Sequence, residues 1–288
     1  MSEITNVKEV ILDKKLIIFD IDGTLHNNES QRELGSSTIS LLNEINKIIP
    51  ITFASGRYVT SALSCLKNFN FKYPLVCANG STVYNPVNKE MIKQKTFSAE
   101  IVNRIYKEYS NNFYFASDIG SEIYTCSRKS KILYSISFGT DSNYIKCNLK
   151  KMLESNSSTL ILMPKYKDFD LPIGHLNSIV NPFEVKLQNG TNYIEIKYCQ
   201  SNKFCGVQTL REFLSLDDKD ILAFGNDEND IELFKSVGTS VAVENALEIL
   251  KEKATFTLQN SINDFLEESL YLLKSKKRSN PVMKNFKD

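Results

Sequence analysis

The sequence has almost no net charge. It contains 35 Lys and Arg residues against 34 Asp and Glu residues, which leaves +1 over 288 residues. No whole-chain field therefore attracts nucleic acid or an anionic membrane. No apolar run approaches the roughly 20 residues of a membrane span, and residues 1–15 lack the apolar segment of a signal peptide. We expect a cytoplasmic protein without nucleic-acid or membrane partners.

Metal-ligand patterns built on cysteine and histidine are also missing. The six cysteines form no C-x-x-C pair and no zinc-ligand spacing, so they are expected to be small buried hydrophobic residues. The two histidines, His26 and His175, have no Cys, Asp or Glu at a familiar ligand spacing. We expect His26 to lie on a surface loop, although it could instead line the entrance of a site that includes Asp22.

The chain does have the length and composition of a folded enzyme-sized protein. Hydrophobic residues make up 42% and charged residues 24%, which is typical of soluble globular proteins. A length of 288 residues is about twice that of a usual single domain. One large domain or two modest domains are expected.

The distribution of apolar runs divides the chain into three parts. Residues 14–84 alternate short apolar runs with helical periods, which predicts βαβ units and a parallel sheet. Residues 85–190 contain short strand candidates between helices near 100–109 and 144–154, as in a separate α+β unit. The alternating pattern returns over residues 191–273. We therefore predict an α/β fold: a Rossmann-like parallel-sheet core with helices on both faces, interrupted by an inserted α+β domain.

The last residues, 274–288, are polar and basic. This composition predicts a solvated or frayed tail. A weak anion-binding or targeting patch is the alternative.

Two aspartates follow the first apolar run. Residues 15–19 are typical of a central parallel strand, and residues 19–24 read FDIDGT. Ligands collect beyond the carboxyl ends of strands in open α/β sheets, and a spacing of two directs the side chains of Asp20 and Asp22 to the same side. Two carboxylates about 4 Å apart repel by roughly 4 kcal/mol at an effective dielectric of about 20. The pair therefore predicts a bound cation, whereas a simple Asx-type turn is the structural alternative.

The D-x-D-G-T pattern resembles the first motif of the haloacid dehalogenase-like hydrolases. The second motif of that family is a Ser or Thr that ends the next strand, where this chain has Ser55 and Gly56. The third is a Lys at a helix start, which Lys203 matches. The family pattern usually has Gly directly after this lysine, whereas this chain has Phe204 and then Gly206 two places later.

The fourth family motif has the common form G-D-x-x-N-D, and residues 225–230 read GNDEND. Residues 227–232 include four acids and no base, which favours a divalent cation, and an all-oxygen ligand set favours Mg²⁺. Asn226 stands where the metal-binding carboxylate usually stands. Either its amide oxygen or the carboxylate of Asp227 is then the ligand.

The weaker segments at residues 77–81 and 241–246 are also similar to the family. The position and size of the 85–190 insertion resemble the α/β cap of the Cof-type subgroup. The resemblance thus covers the predicted core and identifies the insertion as a cap domain.

The resemblance implies a Mg²⁺-dependent phosphatase that acts on a small phosphorylated metabolite through an aspartyl-phosphate. Asp20 is then the nucleophile, and Asp22 is the general acid and base. The implied phosphate-binding residues are Ser55, Gly56, Lys203 and Asn229. The implied metal ligands are Asp20, Asp22, Asn226 or Asp227, and Asp230.

Two other functions remain open from the sequence. A sugar phosphomutase would use the same aspartyl-phosphate and return the group to a sugar. A non-catalytic module that binds phosphorylated metabolites would explain Asn226 and Phe204. Cap residues that could meet a substrate anion are Arg104, Lys107, Arg128 and Lys129, and the sequence does not rank them.

Overall fold

The computed structural model describes residues 7–26, 33–138, 140–166, 172–180, 183–187, 193–198 and 202–279. Its strands are β1 Leu16–Phe19, β2 Ile51–Phe53, β3 Leu75–Cys77, β4 Thr82–Asn85, β5 Glu90–Gln94, β6 Phe113–Ile119, β7 Glu122–Thr125, β8 Ile145–Cys147, β9 Thr159–Pro164, β10 Phe183–Leu187, β11 Ile194–Tyr198, β12 Ile221–Gly225, β13 Thr239–Ala242 and β14 Phe256–Thr257.

The helices are α1 Val7–Val10, α2 Ser36–Asn46, α3 Val59–Cys65, α4 Ala99–Tyr109, α5 Arg128–Phe138, α6 Leu149–Glu154, α7 Ile173–Val180, α8 Lys203–Leu214, α9 Asp230–Lys235, α10 Glu248–Lys251 and α11 Ile262–Ser279. Within the described residues, none of these helices is both long enough and apolar enough to cross a bilayer.

The core is a parallel sheet with β1 next to its centre. The strand order is β14-β13-β12-β1-β2, and every neighbouring pair is parallel. All four residues of β1 are buried, as the apolar run predicts for a strand covered on both faces. The ring of Phe19 stacks on Phe224 of β12, with 4.7 Å between centroids. Because the strands are parallel, the residues that follow β1, β2 and β12 meet at one edge of the sheet.

A small antiparallel sheet, β3-β4-β5, lies beside the core sheet next to β2. It joins the core through a parallel bridge between Ala54, directly after β2, and Val76 in β3. The loop after β3 thereby lies close to the loop after β2.

The inserted cap is built on a second sheet. Its strand order is β10-β11-β9-β6-β7-β8, antiparallel except for the pair β7 and β8. One apolar cluster combines strands β6 and β9 with α4, α6 and α7, and a second combines β6, β7 and β9 with Tyr134 of α5. The alternation of side chains along the strands separates these two clusters. The predicted fold class, a parallel-sheet core with an inserted α+β cap, is confirmed.

The strand positions differ from the predicted boundaries of residues 85 and 190. Strand β5 pairs with β4 and belongs to the small sheet, whereas β11 pairs with β9 and β10 in the cap sheet. Pairing partners decide this assignment, and the local apolar pattern does not reveal them. We propose that the cap extends from the end of β5 to the end of β11, and that the core resumes at α8.

The helix predicted over residues 144–154 is shorter than expected. Residues 145–147 form β8 beside β7, and α6 begins only at residue 149. Asn148 ends the strand and caps the helix, because its side-chain oxygen accepts a hydrogen bond from the Lys151 amide.

The predicted frayed tail is partly helical. Helix α11 continues to Ser279, and Leu273 in it is buried. Lys274 and Lys276 lie 3.5 Å and 3.6 Å from carboxylates of Glu44 and Asp13. Residues 274–279 therefore continue helix α11, and residues 280–288 lie outside the described part.

Candidate active site

The predicted site residues come from four places that the fold brings to one edge of the core sheet. They follow β1, β2 and β12 or begin α8. In chain order they are Asp20, Asp22, Ser55, Gly56, Lys203, Asn226, Asp227, Asn229 and Asp230.

Three of these residues form a buried trio: Asp20, Lys203 and Asp230. The ammonium Nζ of Lys203 is fully buried and lies 2.6 Å from Oδ1 of Asp20 and 2.6 Å from Oδ1 of Asp230. Burial disfavours the charged form, but the attraction of both carboxylates outweighs it and raises the pKa of Lys203. Lys203 is therefore held as a cation against Asp20.

Lys203 does not fully offset the negative charge around the carboxyl of Asp20. Burial, reinforced by the nearby Asp230, raises the pKa of Asp20 to about 7, although Lys203 opposes the shift. The trio contains two carboxylates and one ammonium. A further cation beside Asp20 would stabilise its ionised form.

Two glycines allow Lys203 to reach this position. Gly80 has a φ of +88°, and a Cβ there would lie 2.0 Å from the Asn202 carbonyl oxygen at the start of α8. A Cβ at Gly206 would lie 2.3 Å from Val76 and 2.7 Å from the Cα of Gly80. Gly206 thus permits the close approach of α8 in a chain that has Phe204 after the lysine.

The carboxylate of Asp22 binds Arg57, a residue that was not predicted from the sequence to belong to the site. Arg57 donates from Nε to Oδ2 of Asp22 at 2.8 Å and from Nη2 to Oδ1 at 2.5 Å. This two-point bond fixes the plane of the carboxylate.

His26 Nε2 lies 3.5 Å from Oδ1 of Asp22, and His26 is buried. The expectation that His26 lies on a surface loop was therefore wrong.

Oxygen atoms converge beside Asp20. The tip of the Asn226 amide lies 2.8 Å from the Asp22 carbonyl oxygen, 3.2 Å from Asp20 Oδ2 and 3.0 Å from Thr24 Oγ1. Adjacent oxygen ligands of Mg²⁺ are about 3 Å apart when metal–oxygen distances are about 2.0–2.1 Å. With its oxygen inward, Asn226 completes an oxygen set of this size. With its NH₂ inward, it donates hydrogen bonds to the same two aspartate oxygens. This donor set fits Mg²⁺.

The neighbouring acids are less suitable as ligands. Asp227 is exposed, and its Oδ1 accepts a hydrogen bond from the Glu228 amide at 2.7 Å. Both oxygens of Asp230 are occupied, since Oδ1 binds Lys203 and Oδ2 accepts from the amides of Asn226 and Asp227. Among the described residues, no three Asp, Glu, His or Cys side chains are grouped as a metal site. We therefore propose Asn226, in the orientation that turns its oxygen inward, and not Asp227 as the third ligand.

The remaining predicted residues form the rim. Ser55 is buried, and its Oγ accepts a hydrogen bond from the Arg57 amide at 3.1 Å. Asn229 donates from Nδ2 to Oδ1 of Asn79 at 3.1 Å, which links the loops after β12 and β3. A Cβ at Gly56 would lie 3.4 Å from the same Asn79 side chain. The structure thus brings Ser55, Gly56 and Asn229 to the same edge as Asp22.

A cavity of about 420 Å³ opens from this rim toward the cap. Its core side is lined by Asp22, Gly56, Arg57, Tyr58, Ser61 and Asn79. Its cap side, here called the cap wall, is formed by Phe138, Tyr193, Glu195 and Lys197. Tyr58 donates a hydrogen bond from its hydroxyl to Oε1 of Glu195, and this bond joins core and cap.

The cap wall was missed from the sequence because its members belong to no motif. Lys197 lies 2.6 Å from Oε2 of Glu195, and the Tyr193 ring lies 4.8 Å from the Phe138 ring. The i, i+2 spacing of Glu195 and Lys197 on one strand is the only local signal that could have paired them. The four basic cap residues considered from the sequence do not line this cavity.

The comparisons with known proteins agree with the motifs and the fold. A family model described as haloacid dehalogenase-like hydrolase matches residues 17–266. The chain is 24% identical over 295 residues to the Bacillus subtilis 5-amino-6-(5-phospho-D-ribitylamino)uracil phosphatase YwtE, covering 89% of this chain and 98% of the relative. It is 26% identical over 262 residues to the phosphoglycolate phosphatase of Methanosarcina acetivorans, covering 91% and 97%.

A solved structure shows the same fold. Protein TM0651 of Thermotoga maritima superposes with a TM-score of 0.69 at 23% identity, over 91% of this chain and 97% of that one. The relatives named as phosphatases confirm the prediction of an enzyme of this type. With the family model covering most of its length, the chain belongs to the haloacid dehalogenase-like hydrolases.

Proposed function

We propose that this protein is a Mg²⁺-dependent phosphatase that hydrolyses small phosphate monoesters through an aspartyl-phosphate on Asp20. The observation that carries the proposal is the buried trio beside the oxygen set of Asp20, Asp22 and Asn226. It supports the proposal because a carboxylate, a fixed ammonium and a group of polar atoms lie together at one point of the sheet edge.

In the first half-reaction, the carboxylate of Asp20 attacks phosphorus and the bond to the leaving oxygen breaks. Asp22 lines the cavity and, in its protonated form with one oxygen released from Arg57, donates the proton that the leaving oxygen needs. Arg57 is a positioning residue here, because it holds the carboxylate of Asp22 in a fixed plane.

In the second half-reaction, Asp22 takes a proton from water, which attacks phosphorus while the bond to Asp20 breaks. Inorganic phosphate leaves, and both aspartates return to their starting states. Lys203, Ser55 and Asn229 would bind the phosphoryl oxygens and stabilise their charge in the transition state. Asp20, the Asp22 carbonyl and Asn226 would hold Mg²⁺, which when bound supplies further positive charge at those oxygens.

The substrate class follows only coarsely from the relatives. One is named for a ribitylaminouracil phosphate and another for phosphoglycolate, so the names share a small phosphate monoester and differ in the rest. For this chain we propose only the feature that these names share, a small phosphate monoester as substrate. The cytoplasmic location stays a prediction from the sequence.

The experiment compares the full chain with its Asp20→Asn variant in the release of phosphate from p-nitrophenyl phosphate, with and without Mg²⁺. We expect Mg²⁺-dependent release by the parent and none by the variant, whose circular dichroism should be unchanged. Undiminished turnover in the variant would refute Asp20 as nucleophile. Conversion of a sugar phosphate to an isomer, without free phosphate, would show a phosphomutase instead.

A further inference from the structure

The base of the cap meets the small sheet at one face of that sheet. Cys77, Thr82 and Gln94 are paired across β3, β4 and β5, so their side chains lie on the same face, here called the junction face. Gln94 donates from Nε2 to Ser158 Oγ at 3.3 Å and to the Gly120 carbonyl oxygen at 3.4 Å, and both acceptors belong to the cap. The junction face therefore packs against the cap.

Asp118 of β6 reaches this boundary from the cap side. Ser158 donates from Oγ to Oδ2 of Asp118 at 3.1 Å, so Gln94, Ser158 and Asp118 form a chain of hydrogen bonds from the core into the cap. Burial and, to a smaller extent, the charge of Asp118 raise the pKa of Cys77 on the junction face. The carboxyl of Asp118 is therefore close to both parts of the molecule.

Two buried oxygen atoms at the boundary have no hydrogen-bond partner among the described residues. They are Thr82 Oγ1 on the junction face and Asp118 Oδ1 in the cap, and these residues are 1% and 4% exposed. A buried charge is far more costly to leave without partners than a neutral polar group. An ionised Asp118 would have one hydroxyl donor, that of Ser158, in the part of the chain that the structure describes. The closed boundary thus favours the neutral carboxyl.

The groups that surround Asp118 do not supply a compensating charge. The titratable groups that respond to it are Cys77 and Tyr134 of α5, and burial raises the pKa of both, so both are neutral at neutral pH. The next titratable group is Tyr193, which interacts with Tyr134. The side chains opposite Asp118 in β7 and β9 do not titrate; they are Ile123 and Thr159.

We propose that Asp118 is a pH-responsive latch at the base of the cap. Its neutral carboxyl keeps the cap seated on the junction face, and its ionisation favours states in which the cap has moved away and water reaches the carboxylate. This role of Asp118 is independent of the proposed phosphatase activity.

The direction of the pH dependence follows from proton binding. With the cap moved away, the hydrated carboxyl of Asp118 has the ordinary pKa of about 4, whereas burial in the closed state raises its pKa to about 7. The open state therefore binds fewer protons between these two values. Opening becomes easier as the pH rises from about 4, and the effect levels off above about 7.

Hydrogen exchange of the full chain, measured by mass spectrometry without substrate, reports the opening. The reporters are two amides of the linker between β5 and α4: Lys95 donates to the Ser81 carbonyl oxygen at 3.1 Å, and Phe97 donates to the Ser157 carbonyl oxygen at 2.8 Å. We expect the ratio of their exchange rates, parent over Asp118→Asn, to rise at least about tenfold from pH 5 to pH 8. A constant ratio would overturn the latch.

Two controls separate opening of the cap from other effects of pH. Asp20 and the intrinsic chemistry of exchange are the same in parent and variant, so they cancel in the ratio. Amides of β13 in the core sheet report global unfolding, and a rise there as large as in the linker would overturn the latch. Asp141→Asn changes a half-buried acid of the cap whose amide lies 3.4 Å from Ser64 Oγ of the core. It should keep the profile of the parent, and a profile like that of Asp118→Asn would also overturn the latch.

Ser158→Ala tests the same contact without changing a charge. It removes the hydroxyl that stabilises the ionised carboxyl, so the pKa of Asp118 in the closed state should rise further. Between pH 7 and pH 8, linker exchange relative to Asp118→Asn should then rise at least about threefold, against less than about twofold for the parent. Equal rises would overturn the contact between Ser158 and Asp118 as the latch. Because no substrate is used, a failed latch leaves the proposed function intact, and an absence of phosphatase activity leaves the latch intact.

Discussion

The buried trio and the cap wall differ in how their charges are held. In the trio, Lys203 and Asp230 are fully buried, and two carboxylates share one ammonium at 2.6 Å. In the cap wall, Glu195 and Lys197 form a balanced pair next to two aromatic rings. The trio thus carries more negative than positive charge, whereas the Glu195–Lys197 pair carries one charge of each sign.

The largest effect should come from removing the one cation of the trio. Lys203→Met removes the ammonium that two buried carboxylates share and should lower the free energy of unfolding by about 3–5 kcal/mol. Urea denaturation measures this loss. The control, Lys235→Met, removes an exposed lysine paired with Glu232 and should cost less than about 1 kcal/mol. Equal losses for the two variants would mean that burial does not set the importance of Lys203.

A smaller effect is expected in the cap, where Asp118 of β6 is a buried carboxyl group. Burial raises the pKa of Asp118 to about 7, while Oδ2 accepts from Ser158 and Oδ1 has no hydrogen-bond partner among the described residues. The folded protein then binds a proton that the unfolded chain releases near pH 4. Stability contributed by this group is complete below that pH and is lost as the pH rises to about 7.

Asp118→Asn should reduce this pH dependence, leaving the part that Asp20 contributes, and raise the free energy of unfolding at pH 8 by roughly 2–4 kcal/mol. Thermal or urea unfolding between pH 4 and pH 8 measures the slope. The control is Asp13→Asn, at a carboxylate that is 75% exposed, which should leave the slope unchanged. A slope in Asp118→Asn as steep as that of the parent would contradict the assignment.

The smallest effect is expected from a change of charge at the proposed metal site. Asn226→Asp adds a negative charge beside Asp20 Oδ2 and the Asp22 carbonyl, so the dissociation constant for Mn²⁺ without substrate should fall at least about tenfold. Electron paramagnetic resonance of free Mn²⁺ measures it. Asp227→Asn should change the constant by less than about twofold. If Asp227→Asn weakens binding and Asn226→Asp does not strengthen it, Asp227 is the ligand.

The difference between the buried trio and the cap wall also explains which features could be predicted from the sequence. Apolar runs located β1, β2 and β12, and parallel strands bring the residues that follow them to one edge, so the positions of Asp20, Ser55 and Asp230 could be predicted, whereas their roles came from the family resemblance. The helix start at Lys203 also follows from local pattern. These features depend on neighbours in the sequence or on the direction of strands.

The parts that could not be predicted depend on partners distant in the chain. Arg57 reaches Asp22 across 35 positions, and Tyr58 reaches Glu195 across 137 positions. Strand β11 belongs to the cap because of its pairing with β9 and β10, and its own apolar pattern would suit either sheet. Contacts of this kind become visible only when the cap is placed over the core.

The central claim is that Asp20 carries the phosphoryl group. Acid quenching of the full chain during turnover of p-nitrophenyl phosphate with Mg²⁺, followed by peptide mass spectrometry, tests it directly. We expect one added phosphoryl group on the peptide that contains Asp20, and none in Asp20→Asn. Steady turnover with phosphoryl on another residue, or with no phosphorylated peptide at any quench time, would contradict the claim.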